Sequence, residues 1–502
     1  MTKTADKSSS KRVLYAIVFV LVVICIITTV LLYNTSQLKY EAAETPPAEA
    51  IDIDEVGAAE RLAGALRFKT VSHQDPEKFA PEEFLALHEY LERNFPQAHK
   101  ILKKETVSDY SLVYKWEGSD ESKKPIMLMG HQDVVPVIEG TEDEWTYPPF
   151  QGMVDEGYIW GRGALDNKSG VMGILEAVEM LAGEGFVPEQ TVYITFGHDE
   201  EVSGKNGAIK MAELFESRGV EFEYVLDEGG FITLDMVSGV KRPVAFIGIA
   251  EKGYLTLELT VESEGGHSSI PPPSTAAGIL SRAVVNLEEN PFPPRLDGAA
   301  NEMFQNVAPA MPFLNRMALA NLWIARPFVI NEITGNKYSN AMVRTTTAAT
   351  MLKGSDKENV LPIVATAVVN FRILPGDTAE VVIREVERII DDPRVKVSTL
   401  GKVSEPSPVS ETDTPFYRAL KKSILQASPE NTPIVAPYLL MAATDSRHYK
   451  EVADNTYRFL GYTLPPGDMK GFHGTDERLA IDEYMRTVRT YYLLLKNLNE
   501  GS

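Results

Sequence analysis

Cysteine is nearly absent. Among 502 residues only Cys25 has a thiol, so no intrachain disulfide can form, and the fold must be held by its core and by whatever its acids and histidines bind. Basic residues are in deficit, 49 Lys and Arg against 71 Asp and Glu, and the formal net charge of -22 argues against nucleic acid and against adsorption of the soluble part to an anionic membrane. There is no heptad array, internal repeat or phosphate-binding loop. Charge of either sign is missing from residues 13–33, VLYAIVFVLVVICIITTVLLY, a run long enough to span a bilayer. That run exceeds the apolar core of a signal peptide, and no small-x-small cleavage pattern ends it, which favours an uncleaved anchor over a removed leader. Lys3, Lys7, Lys11 and Arg12 precede it, while Glu41, Glu44, Asp52, Asp54 and Glu55 follow. The positive-inside rule then puts residues 1–12 in the cytoplasm and the rest of the chain beyond the membrane, in a periplasm, a lumen or the exterior. Residues 34–52, with Ala, Pro and Glu prominent over 41–50, read as a tether.

What is abundant is a set of acids and histidines at the ends of apolar runs. Five separated segments share the design: GHQDVVP (130–136), GRGALDNKSG (161–170), GHDEEVSG (197–204), VLDEGG (225–230) and GFHGTDE (471–477). Three of them follow strand-like runs, 125–129, 190–196 and 224–226. In open α/β sheets, ligands gather at the carboxyl ends of strands, so distant segments can converge there. Each piece alone has an ordinary reading. His131 could be a turn residue, Asp166 a helix cap, Glu200 and Glu201 a solvated helix start, Asp227 and Glu228 loop acids, and His473 a surface histidine. Their joint occurrence is what points to a two-metal hydrolase.

On these motifs the chain resembles the aminoacylase and carboxypeptidase S family of di-zinc metallopeptidases, within it the N-fatty-acyl-amino-acid hydrolase/synthase branch, over residues 53–498. The resemblance implies that His131 and Asp227 bind one Zn2+, that Glu201 and His473 bind the other, and that Asp166 bridges them, with Co2+ or Mn2+ as substitutes. It further implies that Glu200 is the general base and that Asp133 accepts the other N–H of the His131 ring. In GGHSSIPPP (265–273), it implies that His267 stabilises the oxyanion; a polar turn is the ordinary alternative. Arg372 in AVVNFRILPGD and Asn359 in KENVLP match the family's substrate contacts, and an arginine fork suits a carboxylate. Asp445 and Arg447, with Thr444, form a further site-facing loop.

The fold class expected is α/β, a di-zinc peptidase-type catalytic domain interrupted by an α+β lid of the dimerisation type and preceded by one transmembrane helix. About 450 residues after the anchor are too many for one core. The catalytic domain would occupy 53–250 and 403–502. The lid would fill 251–402, with strand 254–262, helix 275–289, strands 344–353 and 363–374, helix 378–392 and strand 395–400, a β-α-β-β-α-β order. Residues 291–340 interrupt it with an apolar stretch including Met303, Phe304, Leu314, Trp323 and Phe328. They would either complete the lid core or line a channel for a long acyl chain.

The reading is a membrane-anchored, zinc-dependent amidohydrolase of N-acyl amino acids, able in principle to run in reverse, with a homodimer through the lid compatible. A carboxypeptidase of short peptides and a catalytically inactive, membrane-tethered binding domain remain the alternatives.

Overall fold

The computed structural model describes residues 4–39 and 50–500, with side chains from residue 11 in the first segment. Lys3, Glu41 and Glu44, on which part of the charge asymmetry rests, lie outside the described residues, as does the side chain of Lys7.

The apolar runs form the centre of a mixed ten-stranded sheet. Strands β1 (Ile126–His131), β2 (Val192–Gly197) and β3 (Phe222–Asp227) lie side by side and parallel, β1 in the middle. All six residues of β1 are buried, as expected for a strand covered on both faces. Register decides where the polar residues emerge. His131 lies opposite Gly197, and Leu128 opposite Leu226, so the three strands end together and deliver residues 131–133, 198–201 and 227–228 to one edge.

Helix α1 (Lys168–Gly183) crosses the sheet and packs beside the C-terminal helix α2 (Ile481–Glu500). Its cap is Asn167, whose side chain accepts the Gly170 N–H. Asp166 is therefore not the cap, and its carboxylate is free for another task.

A second sheet is built from Gly253–Glu262, Thr346–Lys353, Val364–Ile373 and Val395–Thr399, with helices Ala276–Glu289 and Ala379–Ile390 capped by Thr275 and Thr378. Each element lies within a few residues of its sequence-predicted position. All neighbouring strands pair antiparallel, and the two helices pack with the sheet in a core of their own.

Of residues 291–340, Phe292 packs in the core of the smaller sheet, as completing the lid core would require, but most of the stretch does not. The stretch forms short helices, among them Gly298–Val307, α3 (Phe313–Ala320) and α4 (Leu322–Thr334). Met303, Phe304, Val307, Leu319, Val329 and Ile333 pack against Val244, Ile434 and Ala436 of the large sheet, and the buried cluster contains no residue of the smaller sheet. The N-terminal segment is a single helix, α5 (Thr4–Gln37), whose stretch Lys11–Gln37 is long and apolar enough to cross a membrane, with a mean hydropathy of 3.1 in its most apolar window. The expected tether does not begin at residue 34. Thr35 is buried, Leu38 packs on the cluster beneath the inserted helices, and Asn34 donates a hydrogen bond to Asn321.

One buried ion pair joins the two halves of the large-sheet unit. Glu477 accepts the backbone N–H groups of Gly163 (3.0 Å), Leu165 (2.8 Å) and Asp166 (3.2 Å) through one oxygen, and Arg162 donates to the other at 2.7 Å. Arg162 also reaches the Gly474 carbonyl, so the loop bearing Asp166 and the loop bearing His473 are fastened to each other. Both side chains are fully buried, and breaking such a pair costs about 3–5 kcal/mol because one charge is stranded. Glu477→Gln is expected to lower unfolding stability by that order. An unchanged denaturation midpoint would show that the clamp is dispensable.

Candidate metal centre

At the shared strand edge, two groups of ligand atoms meet at one carboxylate. His131, Asp166 and Glu228 form one, and Asp166, Glu201 and His473 the other, each with its atoms within 4.8 Å of one another. His131 Nε2 lies 3.0 Å from Asp166 Oδ1 and 3.1 Å from Glu228 Oε1. His473 Nε2 lies 3.1 Å from Asp166 Oδ2 and 3.3 Å from Glu201 Oε2. Asp166 thus faces one group with each oxygen, the arrangement a bridging ligand requires.

The expected ligand Asp227 is displaced by its neighbour. Asp227 ends β3 in register with Arg458, its carbonyl accepts the Phe459 N–H, and its carboxylate accepts the Ser446 N–H at 2.8 Å. Glu228 is the first residue past the strand, so its side chain turns into the cluster while Asp227 secures the loop at residue 446. The paired acids in VLDEGG leave the phase of the strand end open by one residue, which is why the sequence alone names Asp227 where the structure brings Glu228 into the group.

Asp133 does more than the sequence implied. The His131 Nδ1 partner is the Asp133 backbone carbonyl at 2.9 Å, with the carboxylate farther away at 3.4 Å. That carboxylate accepts the Glu200 and Glu201 N–H groups at 3.2 and 3.1 Å and is held in turn by Ser72. It positions the whole turn Glu200–Val202, whose end, Ser203, adopts φ 85°.

The electrostatics call for cations. Burial and the Asp445 charge push the Glu200 carboxyl well above its usual value, and burial raises Glu228 to about 8. Hydrogen bonds to Asp166 and Glu201 raise His473 to about 10. Burial would lower His131, but Glu228, Asp133 and Asp166 carry it well above the ordinary imidazole range. Unpaired carboxylates in such a site must protonate or be neutralised. Glu201 keeps one oxygen buried without a partner. Carboxylate and imidazole donors in two sets that share one acid fit a pair of divalent cations of the zinc class.

The remaining expected residues divide. Asp445 is buried close behind the strand ends, both its oxygens lacking partners and close to where a Cβ on Gly197 or Gly204 would stand. Arg372 stacks 4.8 Å over the Tyr254 ring, and the nearby positive charge of Arg447 adds to the burial that lowers its pKa; neither arginine forms an ion pair among the described residues. His267 belongs to an exposed ribbon, Gly266–His267 paired with Val360–Leu361; Asn359 beside it is half-buried with its side-chain oxygen unpartnered, and its carbonyl accepts the Ser268 N–H. The His267 ring bonds Ser269, and among the described residues no hydrogen bond or ion pair links it to the acid cluster. Neither Glu228 nor Glu477 was singled out as a site residue, although both stand inside the motifs that were.

The sequence profile of Peptidase family M20/M25/M40 matches residues 127–497. A probable carboxypeptidase S-like 2 of Dictyostelium discoideum is 40% identical over 481 residues, 95% of this chain and 92% of the relative. The N-fatty-acyl-amino acid synthase/hydrolase PM20D1 of Mus musculus is 38% identical over 458 residues, 90% of each chain. Among solved structures, the M20 family metallo-carboxypeptidase Sso-CP2 from Sulfolobus solfataricus superposes with TM-score 0.61 at 17% identity, covering 90% of this chain and all of that one. Human carnosine dipeptidase 1 gives 0.60 at 15% identity, covering 89% of this chain and 96% of its own. At such identities the two structures speak for the fold alone.

The choice between Glu228 and Asp227 is open to a direct check by metal content. Glu228→Gln should lose roughly one of the two ions and weaken affinity at that position about 10–100-fold or more, the scale on which even outer partners matter. Asp227→Asn should retain both, as read by elemental analysis after dialysis.

Proposed function

The chain belongs to peptidase family M20/M25/M40, and from that premise we propose that it is a membrane-anchored, two-zinc amidohydrolase acting on N-acyl amino acids. The observation behind the proposal is Asp166, shared by both ligand sets, with Glu200 beside Glu201 on the same turn. His131 and Glu228 would hold one cation, Glu201 and His473 the other, and Asp166 both. When bound, the cations supply Lewis acidity, polarising the scissile carbonyl and making the attacking water more acidic.

Glu200 is the proton carrier. Its carboxyl is pushed up by burial and by Asp445, toward the range in which a group both accepts a proton from water and returns it to a departing amine. Asp133 fixes that turn through two backbone hydrogen bonds, so the base and the ligand Glu201 are positioned together. Hydrolysis adds water across the amide: the hydroxyl stays on the acyl carbon, and the proton taken by Glu200 leaves with the amine.

Arg372 and Arg447 recognise the free carboxylate next to the cleaved bond. Burial and the Arg447 charge lower the Arg372 pKa, and neither guanidinium forms an ion pair among the described residues, which leaves them open to a carboxylate. His267 serves the oxyanion only after the smaller-sheet unit closes as a lid or a second chain brings its own copy. The charge-free helix is the anchor, its N-terminus cytoplasmic as the flanking charges favour. The relatives named N-fatty-acyl-amino acid synthase/hydrolase favour a long acyl chain, and those named carboxypeptidase S-like favour a peptide.

A matched panel of oleoyl-, acetyl- and peptidyl-phenylalanine, assayed with zinc, decides between them. Highest kcat/KM for the oleoyl compound is expected; a preference for the peptide would make the chain a carboxypeptidase. Glu200→Gln should cut turnover by about 10²–10⁴-fold while leaving metal content and melting unchanged. Undiminished turnover in the variant would remove Glu200 from its role; separately, no turnover of any panel member by the parent would favour a binding domain.

A further inference from the structure

The inserted helices α3 and α4 bury one side against the large sheet and expose the other. Phe313 is 48% exposed, Leu314 68%, Trp323 61%, Ile324 46% and Phe328 77%. Single exposed apolar residues are ordinary, but five large ones on two adjoining helices, all between residues 313 and 328, mark an interaction surface. Two further observations identify its occupant.

The first is its position. Asn321, buried at the junction of α3 and α4, accepts the Asn34 side-chain N–H at 2.9 Å and donates to the Leu31 carbonyl at 3.2 Å. The Trp323 indole N–H donates to the same Asn321 oxygen at 3.3 Å. Leu31 lies inside the charge-free run, whose most apolar window has no buried residue, while the end of the run meets α3. The exposed face therefore stands level with the end of the segment proposed to cross the bilayer.

The second is charge. No acid occurs between Glu302 and Glu332, and the only charged residues in that interval are Arg316 and Arg326, in a chain of net charge -22. Arg316 lies over the Phe313 ring, 5.9 Å from its centroid, and Arg326 donates to the Leu296 carbonyl. Arginines flanking aromatic and aliphatic side chains, with a tryptophan near the end of a spanning helix, suit the headgroup boundary, where long basic side chains reach lipid phosphates while the rings sit among the acyl ends.

We propose that the face formed by Phe313, Leu314, Trp323, Ile324 and Phe328 is inserted into the lipid leaflet beside the N-terminal helix, so that the catalytic body lies on the membrane it is anchored to. The inference rests on the anchor reading above. It gives the insertion a role separate from lining an acyl channel, and it holds the body of the enzyme at the surface where amphiphilic substrates concentrate.

The chain supplies its own reporter. Of four tryptophans, Trp116, Trp145 and Trp160 are buried and only Trp323 is exposed, while the apolar helix contains none. The full chain is reconstituted into phosphatidylcholine vesicles whose acyl chains are either ordinary or brominated. Emission should be lower in the brominated vesicles, by up to roughly a quarter if the four tryptophans contribute equally. The difference should vanish in Trp323→Phe. It should shrink in Leu314→Asp/Phe328→Asp, with circular dichroism and retention after an alkaline wash unchanged. A chain that stays with the vesicles but shows no quenching overturns this inference and leaves the anchor standing. So does crosslinking of two chains through position 323 in place of quenching, since the face would then cover a second copy. A chain that washes off the vesicles overturns the anchor reading and this inference together.

Discussion

Mutual repulsion among carboxylates is the constraint around which the site is organised. Asp166, Glu201 and Glu228 converge on two imidazoles, with Asp133, Glu200, Asp227 and Asp445 packed immediately behind. Two like charges ~4 Å apart repel by about 4 kcal/mol at an effective dielectric of ~20, so such a cluster cannot remain ionised without compensation. Arg372 and Arg447 form no ion pair with it among the described residues. A pair of divalent cations would resolve the repulsion, and under the proposed function the same ions would supply the Lewis acidity. The strand ends, the Asp133 hydrogen bonds and the capped start of Lys168–Gly183 can each be understood as holding one acid where repulsion alone would drive it away.

Holding those acids requires joining segments more than 300 residues apart. The Arg162–Glu477 pair does so by spending the glutamate's full acceptor capacity on the Asp166 loop. A second buried pair, Arg458 with Glu251 at 2.9 Å, fixes the loop of Thr444 and Asp445, because Thr444 donates to that same Glu251 oxygen through both its backbone and its hydroxyl. Positioning is thus done by charges deep in the protein.

Much of this was legible in the sequence because the physics is local. Three apolar runs ending in ligand-type residues announced strands converging on one site, and the strand and helix spans read over 254–400 lie within a few residues of the elements of the second sheet. What was not legible depended on phase or on distant partners. Asp227 and Glu228 are adjacent, and only the strand register tells which side chain leaves the sheet. Asn167 took the cap that Asp166 could have made, a choice between neighbours that composition does not reveal. Glu477 looked like one more acid in a motif, since its four partners lie more than 300 residues earlier. The stretch 291–340 read as apolar without saying which core it joins, and its attachment to the large sheet follows from shape complementarity that no periodicity encodes.

The most direct measurement is anomalous diffraction at the zinc edge from crystals of the protein grown with zinc. Two peaks are expected, each about 2.0–2.2 Å from its nitrogen and oxygen ligands, one among His131, Asp166 and Glu228 and the other among Asp166, Glu201 and His473. A single peak, no peak, or density centred on Asp227 with Glu228 turned away would contradict the account.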